Sequence, residues 1–596
     1  MSPPAPSSRP THVSDEDRTL ILVGILLALF LAALDQTIVS TALPRIVEDL
    51  EGVSRYAWVA TAYLLASTAL VPIYGKLADT YSRKRVEIGA VVLFLSGSML
   101  CGLSGELGDL PVLGDGMNQL IYFRAIQGAG GAGLIAMTFI VIADLFPPAE
   151  RGRYQGLVGG TWGIASVLGP LIGGLLTDHA GGVVPGVAGW RWVFYVNVPV
   201  GAVALWFLLR RMPRLDPPGQ HGRPDLLSAA LLLGGLTPLI LSLQVDKRRF
   251  PWVPGKGPGA VTAWESWLTP GLFVLGAVVL WGFVARSRRA KSPIVDLGLF
   301  GNTVFRRANA AAFFFGAAFM SIVIFLPLFL VNVLGVSATR AGLALVPYSM
   351  GLVFGSTFAG QFASRVGHLR NQILAGGGLL FAATLLLGRM DSDVGYGYVT
   401  LLMVLCGLGF GPTLPLFTLA IQNAVDVRRV GQATSAAQFF RQIGGTVGAA
   451  VMGTVLATTL MMAFSSLELP PLVAESPDSA PERLASTGGG ALPNRIRIMY
   501  EARAEEVEEA AEGGTQETVS SAGQEAEQLR AEGEVEAERV AREVRDAFTR
   551  ATTRVYLLTA WLVATAWLLT WRMPELPLRT THDREEARVS GSSAAG

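Results

Sequence analysis

The sequence predicts an all-α membrane protein of about 14 transmembrane helices, built as two six-helix bundles with two linker spans between them. Three observations carry this. Hydrophobic residues are 51% of the 596-residue chain and charged residues only 16%, against about 25% charged in soluble proteins. Apolar runs of about twenty residues, the length that crosses a bilayer core, recur along nearly the whole sequence. The two halves also carry a weak repeat. Gly75-Lys76-Leu77-Ala78-Asp79 with Arg83-Lys84-Arg85 follows the second run, and Gly360-Gln361-Phe362-Ala363-Ser364-Arg365 follows the tenth. Each is a span end, a glycine, small residues and a basic turn. If the tenth span corresponds to the second, each half holds six spans. Two related halves around a midplane cavity are the plan of a secondary transporter.

In order along the chain, residues 1–18 are polar and Pro/Ser-rich, without a cleavable-signal pattern. They read as a disordered tail before an uncleaved first span. The N-terminal bundle, 19–212, holds runs near 20–43, 57–75, 87–105, 118–146, 155–177 and 192–210. Two linker spans near 225–245 and 268–286 occupy 213–290. Runs near 308–335, 341–363, 372–390, 397–424 and 435–463 fill the C-terminal bundle, 291–464, and 552–573 is the last span. Residues 465–551 break the pattern. Pro470 to Pro493 reads as irregular. Arg497 to Arg550 is Ala/Glu/Arg-rich and helical by propensity, with a turn at Gly513-Gly514. Residues 501–550 hold fifteen acids and six arginines. A helical hairpin outside the membrane is expected, either function-neutral or serving gating, docking or cation attraction. Residues 574–596 read as a disordered tail.

Basic residues fall mainly in the even-numbered connections: Lys76 to Arg85, Arg151/Arg153, Arg210/Arg211, Arg286 to Arg289, Arg365/Arg370 and Arg428/Arg429. Lys247/Arg248/Arg249 is the exception. The positive-inside rule then puts both termini in the cytoplasm of a cell-membrane protein. Cys101 and Cys406 form no disulfide or metal pattern, and all five histidines lie in tails or loops. No catalytic residue, metal, cofactor or nucleic-acid partner is expected. Gly128 to Gly133 fits GxGxxG, but inside an apolar helix with no preceding strand. Close helix packing explains it better. No GxxxxGK[ST] occurs, and Gly255-Lys256-Gly257 is only a loop fragment, which argues against ATP as the energy source.

Five stretches carry the chemistry. Asp35, in Leu34 to Pro44, is ionisable at membrane depth; such a group neutralises, pairs, or faces a wet cavity. A packed, helix-capping aspartate is the plainer alternative. In Gly75 to Arg85, Gly75 permits close helix approach, and Asp79 can meet a helix dipole or an arginine. Arg83, Lys84 and Arg85 hold a turn at the membrane surface. Orientation alone could explain this cluster. Arg124, in Arg124 to Gly131, is a permanent cation that needs a partner within a bundle or must reach the headgroups. Gly169-Pro170-Leu171-Ile172-Gly173-Gly174, with Gly163 upstream, allows a bendable contact, or is ordinary packing. Arg441, in Arg441 to Gly448, is intramembrane or at the inner interface.

Together these stretches resemble the major facilitator superfamily, in its fourteen-span drug:proton antiporter family, over residues 15–464 and the last span. The resemblance implies the major facilitator fold. It makes Asp35 a proton or cation site partnered by Arg124, with Gln127 and Arg441 in support. It makes Gly75, Asp79, Arg83, Lys84 and Arg85 a conformational latch, and Gly169, Pro170, Gly173 and Gly174 an antiporter hinge. The family usually has Gly where Ser82 and Ala165 stand here. Spans nine to thirteen lack a clear midspan acid, which weakens a polyvalent-cation reading. Phe313, Phe314, Phe315, Phe319, Phe325, Phe329, Phe410, Phe417, Phe439 and Phe440 suggest an aromatic cavity for lipophilic cations, although any one ring could be core or lipid-facing.

The implied function is proton-coupled export of hydrophobic, often cationic, drugs by alternating access, as a monomer in the lipid bilayer. Export of lipids or envelope precursors, aided by 465–551, is the alternative. A membrane-embedded enzyme or receptor would need a catalytic cluster, and the sequence shows none.

Overall fold

The computed structural model describes residues 15–50, 56–108, 111, 113–180, 187–213, 215–216, 225–244, 267–290, 293–336, 345–426, 429–467, 470, 492–511 and 516–575. Residues 1–14, Lys247 to Arg249, Gly255 to Gly257, 471–491, Gly513-Gly514 and 576–596, on which several expectations fall, lie outside them.

The N-terminal bundle is α1 (Asp15–Asp49), α2 (Tyr56–Thr80), α3 (Arg83–Gly102), α4 (Gly116–Leu145), α5 (Pro148–His179), α6 (Trp192–Tyr195) and α7 (Asn197–Arg211). The linker pair is α8 (Leu226–Gln244) and α9 (Leu268–Ser287). The C-terminal bundle is α10 (Thr303–Asn332), α11 (Leu345–Val366), α12 (Leu369–Leu387), α13 (Tyr396–Phe410), α14 (Thr413–Ala424) and α15 (Val430–Ser465), completed by the end of α17 (Gln516–Trp571). Helix α16 (Leu492–Ala510) precedes α17. Among the described residues, twelve segments are long and apolar enough to cross a membrane; the shorter α8 and the more polar α11 complete fourteen.

Several boundaries differ from expectation, each for a local reason. Helix α1 starts at Asp15, inside the expected tail. The sixth span is broken between α6 and α7. Pro199, two residues into α7, lacks an N–H and crowds the carbonyl four residues back, at Tyr195. Gly411-Pro412 likewise divides the twelfth span into α13 and α14. Pro493 lies in the first turn of α16, where a missing N–H is tolerated.

The two bundles repeat each other contact for contact. In the first, α1 packs on α5 and α7, α2 and α3 pack on α4, and α3 packs on α7. In the second, α10 packs on α15 and α17, α11 and α12 pack on α13, and α12 packs on α17. The halves meet by two equivalent seams, α2 on α15 and α5 on α11. Each joins a second span to a fifth span, as a pseudo-two-fold relation requires. The linker helices α8 and α9 pack on each other, and α8 lies along α2 and α15, beside the first seam.

The phenylalanines depart from the expected cavity. Phe315, Phe325, Phe329, Phe410 and Phe417 are buried core. Phe319 tilts against Phe410 at 4.7 Å and Phe315 against Phe417 at 5.7 Å. Phe313, Phe314, Phe319, Phe439 and Phe440 are half-buried.

Helices α16 and α17 pack on each other as a hairpin, and α17 runs without a break from it into the last span. Ile496, Tyr500 and Ala504 recur every fourth residue and are buried, as are Ala537, Val540 and Val544. A Cβ at Gly533 would sit 2.5 Å from the Tyr500 Cβ, so glycine lets the two helices touch. Arg530 bonds Glu501 at 3.0 Å and Glu508 at 2.9 Å, and Arg497 bonds Glu534 at 2.7 Å, all exposed. The Arg530 guanidinium holds the Glu508 carboxyl below its usual range by hydrogen bonding. Exposed pairs stabilise little, so the apolar seam holds the hairpin. We expect Ile496→Ala to cost about 2–5 kcal/mol locally and to open the hairpin to limited proteolysis. Arg530→Ala should leave the cleavage pattern nearly unchanged.

Candidate functional site

Asp35 lies about 30 Å along α1 from its first residue, at 1.5 Å per residue, and is wholly buried. Its Oδ2 accepts Arg124 Nη1 at 2.5 Å. Its Oδ1 accepts Gln127 Nε2 at 2.8 Å and Asn197 Nδ2 at 3.3 Å. Arg124 Nη1 also donates to Gln127 Oε1 at 2.8 Å, and Arg124 Nε to the Val59 carbonyl at 3.3 Å. The guanidinium carbon stands 4.4 Å above the Tyr63 ring. Cys101 Sγ donates to Gln127 Oε1 at 3.5 Å. Thus α1, α2, α3, α4 and α7 all contribute to one buried polar centre.

Local sequence explains the placement. Arg124 and Gln127 are three apart on α4 and share a face. The glycines after them allow α4 to be covered closely: a Cβ at Gly130 would strike the Phe94 backbone, and one at Gly128 the Tyr63 backbone. Asn197 sits where Pro199 breaks the sixth span, and this frees its side chain to reach both Asp35 and Ser98 Oγ, the latter at 3.0 Å. The sequence reading missed Asn197 and Tyr63. A polar residue two places before a proline in an apolar run was the available signal.

The hinge stretch packs beside Asp35. A Cβ at Gly169 would collide with Thr37 Oγ1 and one at Gly173 with Thr41 Oγ1, so both glycines let α5 lie against α1. Thr37 Oγ1 donates to the Ala165 carbonyl at 3.0 Å. Pro170 lies inside α5, where it removes one helix hydrogen bond. Gly174 has no neighbour within 4 Å of a built Cβ; unlike Gly169 and Gly173, it faces open space and makes no close contact.

The latch stretch lies at the face where α1 begins. Asp79 Oδ2 accepts the backbone N–H of Gln432 at 3.0 Å, in the first turn of α15, whose dipole favours a carboxylate. A Cβ at Gly75 would collide with Ser435 Oγ. Arg83 was expected at the surface. It is buried instead, 2.7 Å from Asp144 and 3.6 Å from Asp79. Lys84 Nζ donates to the carbonyls of Leu209 and Met212 at 2.9 and 2.6 Å, within its own bundle, and Arg85 is exposed. Ser82 adopts φ −53° and ψ 129°, open to any residue, so the turn needs no glycine there.

The second seam closes the same face. Ser356 Oγ donates to the Gly156 carbonyl at 3.1 Å, and Gly152 and Gly360 allow backbone contact. Gln155 Nε2 donates to Gln422 Oε1 at 2.9 Å, and Gln422 Nε2 to Thr434 Oγ1 at 3.0 Å. These buried glutamines were also missed. The glycines of the repeat, Gly75 and Gly360, occupy equivalent places in the two seams. Arg441, on α15, bonds Gln438 Oε1, and its backbone lies against Gly316 of α10.

A family model described as Major Facilitator Superfamily matches residues 25–449. "Multidrug transporter protein MdtP" of Bacillus subtilis (strain 168) is 36% identical over 439 residues, 74% of this chain and 75% of that protein. "Multidrug resistance protein 3" of the same strain is 36% identical over 445 residues, 75% and 81% of the two chains. Among solved structures, the proton:xylose symporter XylE is similar with TM-score 0.52 and 14% identity, over 80% of this chain and 94% of that one. A bacterial homolog of the human lysosomal transporter Spinster, inward-facing and occupied, gives TM-score 0.51 and 17% identity, over 94% and 98%. The structural likenesses establish the fold.

Removing one member of a buried ion pair strands the other, at about 3–5 kcal/mol. Asp35→Asn and Arg124→Gln should each lower the melting temperature of the detergent-purified protein. The double variant, with no stranded charge, should recover most of the loss.

Proposed function

We propose a function from the premise that this chain belongs to the Major Facilitator Superfamily and is a multi-pass membrane transporter, not an enzyme: it is a proton-coupled antiporter. It exports hydrophobic, often cationic, drugs across the cell membrane, with both termini in the cytoplasm. The names of the Bacillus relatives support the cargo class.

The observation that carries the coupling is the wholly buried Asp35, held by Arg124, Gln127 and Asn197. A proton and the Arg124 guanidinium compete for this one carboxylate. When Asp35 takes the proton, Arg124 loses its counter-charge, and Gln127 and Asn197 lose an acceptor. The strain falls on the adjacent α1–α5 contact, where Gly169 and Gly173 leave no slack and Pro170 weakens the helix. Movement of α5 is transmitted to its other end, where Gly152 and Gly156 meet α11. The Asp79–Gln432 and Gly75–Ser435 contacts of the first seam then part as well, with Arg83 as the brace of Asp79 and Lys84 and Arg85 anchoring the turn. Cargo occupies the space between bundles, against the half-buried rings of Phe313, Phe314, Phe319, Phe439 and Phe440. Arg441 supports the second bundle's side.

Reconstituted vesicles with an imposed pH gradient test this. Wild type should concentrate a lipophilic cationic dye against its gradient, and collapse of the pH gradient should stop it. Asp35→Asn should fall to the level of protein-free vesicles under the same gradient. Gradient-driven accumulation by Asp35→Asn equal to wild type would remove Asp35 as the coupling group.

A further inference from the structure

Among the described residues two acids are wholly buried, Asp35 and Glu87. Asp35 is held by three donors. Glu87 is not: neither carboxyl oxygen has a hydrogen-bond partner. It lies on α3, one turn after Arg83 and on the same helix face. Arg83 is already taken, by Asp79 and Asp144, yet its Nη1 is itself without a hydrogen bond. Around Glu87, the Tyr74 ring fills the space between α3 and α4, where a Cβ at Gly133 would lie 2.6 Å from Tyr74 Cε1.

The charged and titratable groups on the elements packed against α3 near this end are few. On α2 they are Tyr74, Lys76 and Asp79; on α4, Asp144. On α7 they are the exposed Arg210 and Arg211. None bonds or ion-pairs with Glu87 in this state. An ionised carboxylate sealed away without a partner is the costlier form, and a neutral acid is the form such a site holds.

We propose that Glu87 is a second proton-binding site, which keeps its proton while the face bearing Asp79 and Gln432 is closed and gives it up to that face when α2 and α15 part. This deepens the proton-coupled reading and rests on it for its place in the cycle. When the seam opens, the Gln432 N–H leaves Asp79, and water gains access to the first turn of α3. The Glu87 O–H bond breaks, its proton passes to that water, and the carboxylate left behind is balanced by Arg83 at i−4. The acid reads the state of the latch, and the latch sets whether the acid can ionise. Asp35, bonded to Arg124, Gln127 and Asn197, shares no hydrogen bond or ion pair with Glu87.

The test uses the full-length protein in lipid nanodiscs. Infrared spectroscopy at neutral pH should show a protonated-carboxyl C=O band in wild type and in Asp35→Asn. Glu87→Gln should lack it, and Glu87→Asp, which keeps an acid, should show it shifted. Spin labels at the exposed Tyr81 and Val366 read the opening of the same face. Raising the pH should lengthen that distance in wild type and in Asp35→Asn, but not in Glu87→Gln. A wild-type spectrum without a band removed by Glu87→Gln would overturn the proposal, as would an unchanged pH response in Glu87→Gln. Either result leaves Asp35 coupling standing. Conversely, an Asp35→Asn protein that still drives efflux would sink the Asp35 reading without touching the Glu87 band.

Discussion

The Asp35–Arg124 pair is the constraint the N-terminal bundle is built around. A guanidinium keeps its charge in any protein interior, so α4 can be buried on nearly all sides only if a carboxylate meets Arg124. The carboxylate must come from α1, and the remaining lone pairs must be filled by Gln127 and Asn197. This fixes the rotation of α1 and α4 and the break before α7. It also fixes the α1–α5 contact one turn away. A buried pair of this sort is weak evidence for stability, because desolvation offsets the attraction. Hydrophobic replacements would pack as well. On the reading proposed above, the pair is a device whose charge balance a proton tips.

The pair sits well away from the face where the two seams close, and α5 spans the gap. One end of α5 touches Thr37 and Thr41 beside Asp35. The other touches Ser356 and Gly360 across the pseudo-two-fold axis. Glycines at both ends remove the side chains that would cushion a shift, so a displacement at one contact is felt at the other. The Asp79 carboxylate on the first turn of α15 makes the partner seam electrostatic as well as steric. Closure therefore depends on backbone-to-backbone approach and a few charges, which can separate without unpacking either core.

Much of this was legible in the sequence. Asp35 and Arg124 stood out as charges within apolar runs, and Gly75 and Gly360 as a repeat. Their meeting was legible only through family resemblance, since no spacing rule links residues 89 positions apart. Asn197 was hidden because a lone amide gives no periodic signal. Arg83 and Glu87 were hidden for a different reason. A charge cluster at a span end reads as solvated surface, and only the packing of α4 and α7 over it shows otherwise. Five of the phenylalanines, Phe315, Phe325, Phe329, Phe410 and Phe417, are core because a ring suited to a cavity is equally suited to a core. The continuity of α17 was written in the chain: after Gly513-Gly514 no proline and no paired glycine falls before Pro574. Gly174 looked like Gly173 in sequence, but helix rotation turns it away from α1.

The central claim is that one buried carboxyl group exchanges a proton for cargo. Proton release on cargo binding measures this most directly, with a pH indicator in a weakly buffered solution of purified protein. The account predicts that a saturating lipophilic cation displaces protons from wild type and none from Asp35→Asn that still binds it. Equal release from both proteins would contradict it.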